Sequence, residues 1–289
     1  VSGTAREQGR LLRWINRKTE IAWGSDPGAF RPELVEATLI EVARFIGPGK
    51  YFRIDVKGFE NVPARASMVV SNHSGGTTIP DVWGFLSAWY RHFGVGRPIH
   101  PLAHELILST ELTGRYFAER GVLRAGKAIG REVLERFGRD LMVMPGGDMD
   151  TWRPYSKRYQ VRFGGRSGYA RLALQTGVPI VPVANAGAHE TLIVLTDGQK
   201  IAEALRLPSI FRARIFPVHL SLPWGLAVGP WPHLPLPARL RYRIGPPVEP
   251  PEQIAPGEEP PEDLVAEYDR RVQAAVQRLL DQLSRDRVK

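Results

Sequence analysis

The stretch SMVVSNHSGGTTIPD, residues 67–81, moves from an unbroken apolar run through a glycine-rich turn to a proline-led helix start. An apolar run without alternation is the pattern of a strand covered on both faces, as in a parallel sheet. Pro80-Asp81 then opens a helix that the pattern carries to Phe93. The same rhythm repeats outward. RPIHPLA (97–103) reads as a second strand, LMVM (141–144) follows the helical AIGREVLERFG, and VPIVPVA (178–184) follows the helical GYARLALQTG. Strands alternating with helices predict an α/β fold with a mainly parallel central sheet flanked by helices. ARLRYRI (238–244) alternates instead and is expected at the sheet edge.

Around this centre, residues 1–50 read as an N-terminal helical segment, 51–250 as the α/β domain, and 251–289 as a Pro/Glu linker with a final amphipathic helix. Leu34, Val35, Leu39, Val42, Phe45 and Ile46 recur at helical spacing and predict a packed face. Residues 10–23, RLLRWINRKTEIAW, set Trp and Leu among Arg and Lys, which suits either the lipid headgroup layer or packing on the domain itself. Residues 215–238 hold no Asp, Glu, Lys or Arg over 24 positions, long enough to span a bilayer, but their six prolines break any continuous helix. An irregular apolar surface displaying Trp224 and Trp231 is expected there, facing acyl chains or a membrane, against the alternative of a buried connection.

The chain has 289 residues and no cysteine, which excludes disulfide scaffolds, thiolate metal sites and a cysteine nucleophile. Its formal net charge of +9 favours anionic partners: nucleic acid, an anionic bilayer or a phosphate-bearing small molecule. His73 and Asp81 share one loop, and an imidazole steadied by a carboxylate is a competent general base. The alternative is a loop histidine bonded to backbone, with Asp81 capping the helix. No G-x-S-x-G elbow exists, so a covalent serine route is disfavoured.

The turn MPGGDMD (144–150) places Gly146 and Gly147 where their N–H groups can line an anion or oxyanion site. Asp148-Met149-Asp150-Thr151 approaches the D-x-D-x-T form of aspartyl phosphatases but is one residue short of it, and no later acidic pair accompanies it. Beyond it, Arg153, Lys157, Arg158, Arg162 and Arg166 form a basic run without an acid, suited to a phosphate-rich ligand. Interleaved aromatics also allow a nucleic-acid reading, but no recognised nucleic-acid module fits the α/β pattern, and none is expected as a partner.

Four blocks in order, NHSGG…PD (72–81), GVLRAGKA (121–128), VMPGGDMD (143–150) and VPIVPVANAG (178–187), resemble the glycerolipid acyltransferase superfamily. The likeness is nearest to the branch of type 2 diacylglycerol acyltransferases and phytyl ester synthases, and covers roughly residues 60–250. It implies that His73 takes the proton from an acceptor hydroxyl, which attacks an acyl thioester directly. Acyl-CoA or acyl carrier protein would serve as co-substrate, a lipid alcohol as acceptor, and no metal or resident cofactor is needed. The family usually has four residues between His and Asp; here Thr78 occupies that place and Asp81 is the nearest acid. Asp150 stands where the branch often has Glu, and Arg124 or Lys127 in the second block would be the cationic group. Arg153, Lys157 and Arg158 are further candidates for phosphate or carrier binding. The resemblance thus implies a membrane-surface O-acyltransferase on the cytoplasmic face of a membrane, peripheral or monotopic. An inactive lipid-binding protein and a thioesterase or esterase using water are the alternatives.

Overall fold

The computed structural model describes residues 22–205, 215–252, 254–255 and 258–286. A seven-stranded sheet forms the centre. Its strands are β1 (Phe52–Lys57), β2 (Met68–Ser71), β3 (Ile99–Ala103), β4 (Leu123–Arg124), β5 (Asp140–Val143), β6 (Ile180–Ala186) and β10 (Ala238–Ile244), in spatial order β1-β10-β6-β2-β5-β3-β4. β6, β2, β5, β3 and β4 run parallel; β10 is antiparallel to β6 and parallel to β1. The mainly parallel α/β architecture is therefore the observed one.

Burial follows the unbroken apolar runs. Met68 and Val70 turn to one face, where they meet Leu141, Ile180, helix α6 (Gly168–Thr176) and the C-terminal helix α8 (Glu262–Arg285). Val69 turns to the other face and packs with Phe85 and Trp89 of α2 (Pro80–Phe93) and Val35 of α1 (Pro32–Val42). With helices on both sides, no strand face in the centre needs polar residues. The C-terminal helix belongs to this core: Val265, Tyr268, Val272, Val276, Leu280 and Leu283 are all buried.

Three expectations are corrected. The alternating strand 238–244 is not an edge; β1 is, and β10 lies one place in, its Arg239 and Arg243 paired with Asp55. Residues 215–238 are not irregular throughout. They supply β8 (Val218–Ser221) and β9 (Gly225–Val228), which join β7 (Ile193–Thr196) in an antiparallel sheet of order β7-β8-β9. The face predicted over residues 34–46 is only partly packed: Val35 and Ile46 are buried, whereas Phe45 is exposed. Most of the basic segment 10–23 lies outside the described residues; Trp23, which is described, lies against Gly114 of α3 (Glu111–Ala118). Between these elements lie α4 (Lys127–Arg131), α5 (Gly147–Thr151) and α7 (Gln199–Ala204).

Candidate active site

Because β2, β5 and β6 are parallel, the segments leaving their carboxyl ends converge at one edge of the sheet, the usual place for a site in such folds. The ends of β2 and β6 are stitched together first. Asn185 N–H donates to Asn72 Oδ1 at 2.8 Å, and Asn72 Nδ2 donates to the Asn185 carbonyl at 3.0 Å, both side chains being buried. Ser74 Oγ donates to Asn185 Oδ1 at 3.0 Å, which engages the one hydroxyl adjoining His73 in sequence.

His73 then projects from a turn held by two buried carboxylates. Asp81 Oδ2 accepts from His73 Nδ1 at 2.7 Å and from the Ser74 N–H at 2.8 Å, while its Oδ1 accepts from the Val82 N–H at 2.9 Å. Asp150 Oδ2 accepts the His73 backbone N–H at 2.6 Å. Among the described residues, no protein group bonds His73 Nε2. Burial lowers the proton affinity of the imidazole, but the charge and hydrogen bond of Asp81, with help from Asp150, outweigh it and leave the pKa above the ordinary 6.5. His100, also buried, shows the contrast. It has a carbonyl partner, Gly121, and Arg139 nearby in place of a carboxylate, and burial drives it down to about 4.

The seven-residue separation of His73 and Asp81 is absorbed by a short helical turn, Gly76–Thr78. Gly75 and Gly76 have positive φ, and Ile79 closes the turn at φ 41°. A β-branched residue in that region is strained by about 1–3 kcal/mol, so its surroundings must hold it there. They do so from both sides. Tyr242 Oη donates to the Asp81 carbonyl at 2.8 Å, and His233 lies beside Thr77 and Thr78, with ring nitrogens 3.4 and 3.3 Å from their hydroxyls. Only glycine fits at position 76, since a Cβ there would stand 2.7 Å from His233 Cε1.

The glycine turn after β5 is built for close approach. A Cβ on Gly146 would lie 2.3 Å from the Arg162 carbonyl, and Gly147 has φ 49°. Arg166 braces the turn, donating to the Gly146 carbonyl at 2.7 Å and to Asp148 Oδ1 at 2.8 Å. The Gly147 N–H donates to the Met144 carbonyl at 3.1 Å, so the oxyanion role expected of it is taken up by the turn itself.

The cations are redistributed relative to expectation. Arg153 is buried in an ion pair with Asp150 and donates to the Arg158 carbonyl. Arg158 stacks on Tyr155 and Tyr159 at 4.2 and 5.1 Å. Arg124 ties the Trp23 and Leu108 carbonyls to Glu105. All three hold the fold, because a guanidinium offers several donors to nearby carbonyls and carboxylates. Lys127 and Lys157 are exposed.

His73 opens on a cavity of about 800 Å³ lined by Trp83, Leu86, Leu102, Ile107, Phe117 and Met144. Gly147 and Asp148 also line it, and among the described Lys and Arg residues only Arg120 does so. Sequence reasoning missed Arg120 and this apolar wall, since its residues come from α2, β3, the turn Glu105–Leu108, α3 and the end of β5 and share no local motif. Trp224 and Trp231, by contrast, lie exposed beside the three-stranded sheet, as expected for a surface. The Trp231 carbonyl lies 3.3 Å from the Thr77 hydroxyl, so that surface adjoins the His73 turn.

A histidine–carboxylate pair thus stands at the carboxyl ends of parallel strands and faces a mostly apolar cavity, in an α/β fold. Residues 53–186, just under half of the chain, match the family model described as Acyltransferase. An uncharacterized protein of Mycobacterium tuberculosis is 29% identical over 225 residues, covering 77% of this chain and 59% of its own. One from Mycobacterium leprae is 25% identical over 249 residues, covering 86% and 65%. The DGAT1/2-independent enzyme synthesizing storage lipids of Gallus gallus is 25% identical over 167 residues, covering 57% and 48%. The chain thus spans less than two thirds of the length of these relatives. Among solved structures, the 1-acyl-sn-glycerophosphate (LPA) acyltransferase PlsC of Thermotoga maritima aligns with a TM-score of 0.45 at 19% identity, over 93% of this chain and 88% of that one.

Proposed function

We propose that the chain is a membrane-surface O-acyltransferase that moves a fatty acyl group from an acyl thioester to a hydroxyl of a glycerolipid. The observation that carries this reading is the His73–Asp81 pair, with Nε2 unengaged, at a cavity of about 800 Å³ that is mostly apolar. In the proposed step, His73 Nε2 takes the proton of the acceptor hydroxyl while its oxygen bonds to the thioester carbonyl carbon. The C–S bond then breaks, and the thiolate leaves with the proton from the imidazolium. Asp81 fixes the tautomer with Nδ1 protonated and stabilises the positive ring. No acyl-enzyme forms, and the donor is acyl-CoA or acyl carrier protein, whose negative charge suits the net +9 of the chain.

An apolar donor chain in the cavity leaves its thioester at the polar loops, where alignment with the acceptor supplies much of the rate. Lys127 and Lys157 are the exposed cations retained from the motif reading for contact with the donor's anionic carrier. The membrane-surface part of the proposal is supported by the exposed apolar face around Trp224 and Trp231. No helix among the described residues is long and apolar enough to cross a membrane. Peripheral or monotopic seating on the cytoplasmic face is part of the proposal. The likeness to a storage-lipid enzyme fits an acylglycerol acceptor as well as a lysophospholipid or lysophosphatidate.

The test is mass spectrometry of products from acyl-CoA and a mixed pool of lysophospholipid, lysophosphatidate and monoacylglycerol. A new ester with stoichiometric free thiol is expected. Free fatty acid alone would identify a thioesterase, and no turnover across a broad donor panel would leave a lipid-binding protein.

A further inference from the structure

The first helix leaves apolar residues uncovered beside a second compartment. Helical spacing placed Val42 and Phe45 in the core, yet Phe45 is 60% exposed and Val42 lines an open cavity of about 270 Å³. Val42, Phe45, Ile46, Phe52, Tyr116 and Pro235 form its apolar walls. Exposed Tyr51 lies beside it, its Oη donating to the Pro235 carbonyl. Apolar positions that a chain leaves at an open cavity, against its own helical pattern, mark a surface kept for something else.

This compartment and the His73 cavity share two residues, Thr78 and Trp83. Thr78 belongs to the turn that carries His73, and Trp83, two residues beyond Asp81, lines both spaces. Arg120 closes the seam nearby: its Nε donates to Thr38 Oγ1 on α1 at 2.9 Å, and its guanidinium lies 3.8 Å over the Tyr116 ring on α3. A reaction between an acyl donor and a lipid acceptor has two chains to hold at once, with their heads meeting at one imidazole.

We infer that the 270 Å³ compartment receives the acyl tail of the acceptor, and that Trp83 separates it from the donor chain in the larger cavity. The inference rests on the acyl-transfer reading and deepens it by assigning a place to the chain that the acceptor already carries. The assignment of the two spaces follows their mouths. The larger cavity holds His73 itself, where the thioester carbonyl must lie. The smaller is open and lined by Phe45, which is 60% exposed, so a membrane-resident tail can enter it from the side. Both spaces bury methylene groups, and each buried methylene favours binding of a longer chain.

Two photo-crosslinking probes test this without turnover: a lysophosphatidate and a thioether analogue of acyl-CoA, each with a diazirine at the chain end. The acceptor probe is expected to label α1 and residues 45–52, and the donor probe α3 and residues 101–107. Acceptor labelling of the donor cavity alone, or of neither space, overturns the inference. In steady state, Val42→Trp should raise the lysophosphatidate KM about tenfold with the acyl-CoA KM little changed. Trp83→Ala should let the acceptor probe label the donor cavity and should broaden the donor chain-length profile. Trp83→Phe keeps a partition if the alanine variant fails to fold, and is expected to preserve segregated labelling. Equal KM values in wild type and Val42→Trp, or turnover of glycerol 3-phosphate as efficient as of lysophosphatidate, would refute the second-tail site. If the probes segregate but no ester ever forms, the acyl-transfer reading fails while the two-chain site stands.

Discussion

The seven-stranded sheet and the three-stranded sheet share the two-residue alternation of every β-strand, with opposite results. In the large sheet Met68, Val69 and Val70 are all inaccessible, because helices cover both faces. In the small one, Leu220, Leu226 and Val228 point outward and are exposed, while His219, Ser221 and Ala227 point inward and are buried. The large sheet raises its polar groups at one end, where His73 meets a carboxylate. The small sheet and the segment that follows it bury His219 and His233 without one, so burial lowers their proton affinity where Asp81 raises that of His73. Backbone geometry is therefore not what separates the two sheets. What covers each face is: helices lie on both faces of the large sheet, whereas the outward side chains of the small one are exposed among the described residues.

The largest test of the comparison is at the polar end of the large sheet. His73→Ala should cut kcat about a thousandfold, while the thermal midpoint moves by only a few degrees, since the side chain is not part of the apolar core. Activity retained within tenfold would remove His73 from the chemistry. Next in size is the same deletion made in both sheets. Leu141→Ala, in the buried core, should cost about 2–5 kcal/mol in urea unfolding. Leu226→Ala, 66% exposed, should stay within about 0.5 kcal/mol. Equal losses would mean that the outward face of the small sheet is covered after all.

Asp81→Asn should lower kcat/KM about a hundredfold and also move its pH profile. The base form of His73 is neutral, and its pKa lies above 6.5, so the acid limb of the wild type should have its midpoint above 6.5. Losing the Asp81 charge leaves burial as the largest influence, so the limb of the variant should move down. The stabilising contribution of the charged pair has the same origin: it is complete below 6.5 and lost as pH rises through the raised pKa. A limb that stays put in Asp81→Asn would assign the titration to another group.

The centre of the fold was legible because MVV, LMVM and VPIVPVA are apolar without interruption, and only strands covered on both faces tolerate that. β1 was not, since FRIDVK mixes charges into an edge strand and gives no strong period. The position of β10 was misread for a similar reason: its alternating arginines suggested open solvent, whereas Asp55 on the neighbouring strand pairs with two of them. In the site, His73, Asp81 and the glycine turn were readable from one loop each. The ion pair that removes Arg153 from the surface, and the chain-crossing seam made by Arg120, depend on tertiary contacts with no spacing of their own.

The smallest effect expected is on the outward face of the small sheet, and it separates lipid from protein as the missing cover. Trp224 and Trp231 are 54% and 57% exposed, yet their indole N–H groups already donate to the Pro232 and Val228 carbonyls. Moving the rings into a headgroup layer would therefore leave no hydrogen bond behind, and rings of this kind favour that interface. Trp231→Ser should weaken sedimentation with phosphatidylcholine vesicles about tenfold, with unfolding stability unchanged within about 0.5 kcal/mol. Adding phosphatidylglycerol should strengthen binding of wild type and variant alike in a salt-sensitive way, because the net charge of +9 acts independently of the apolar face. A variant that binds vesicles as well as wild type but loses a concentration-dependent dimer would show that the face is covered by a second copy of the chain, and the contrast between the two sheets would then be one of assembly rather than of membrane seating.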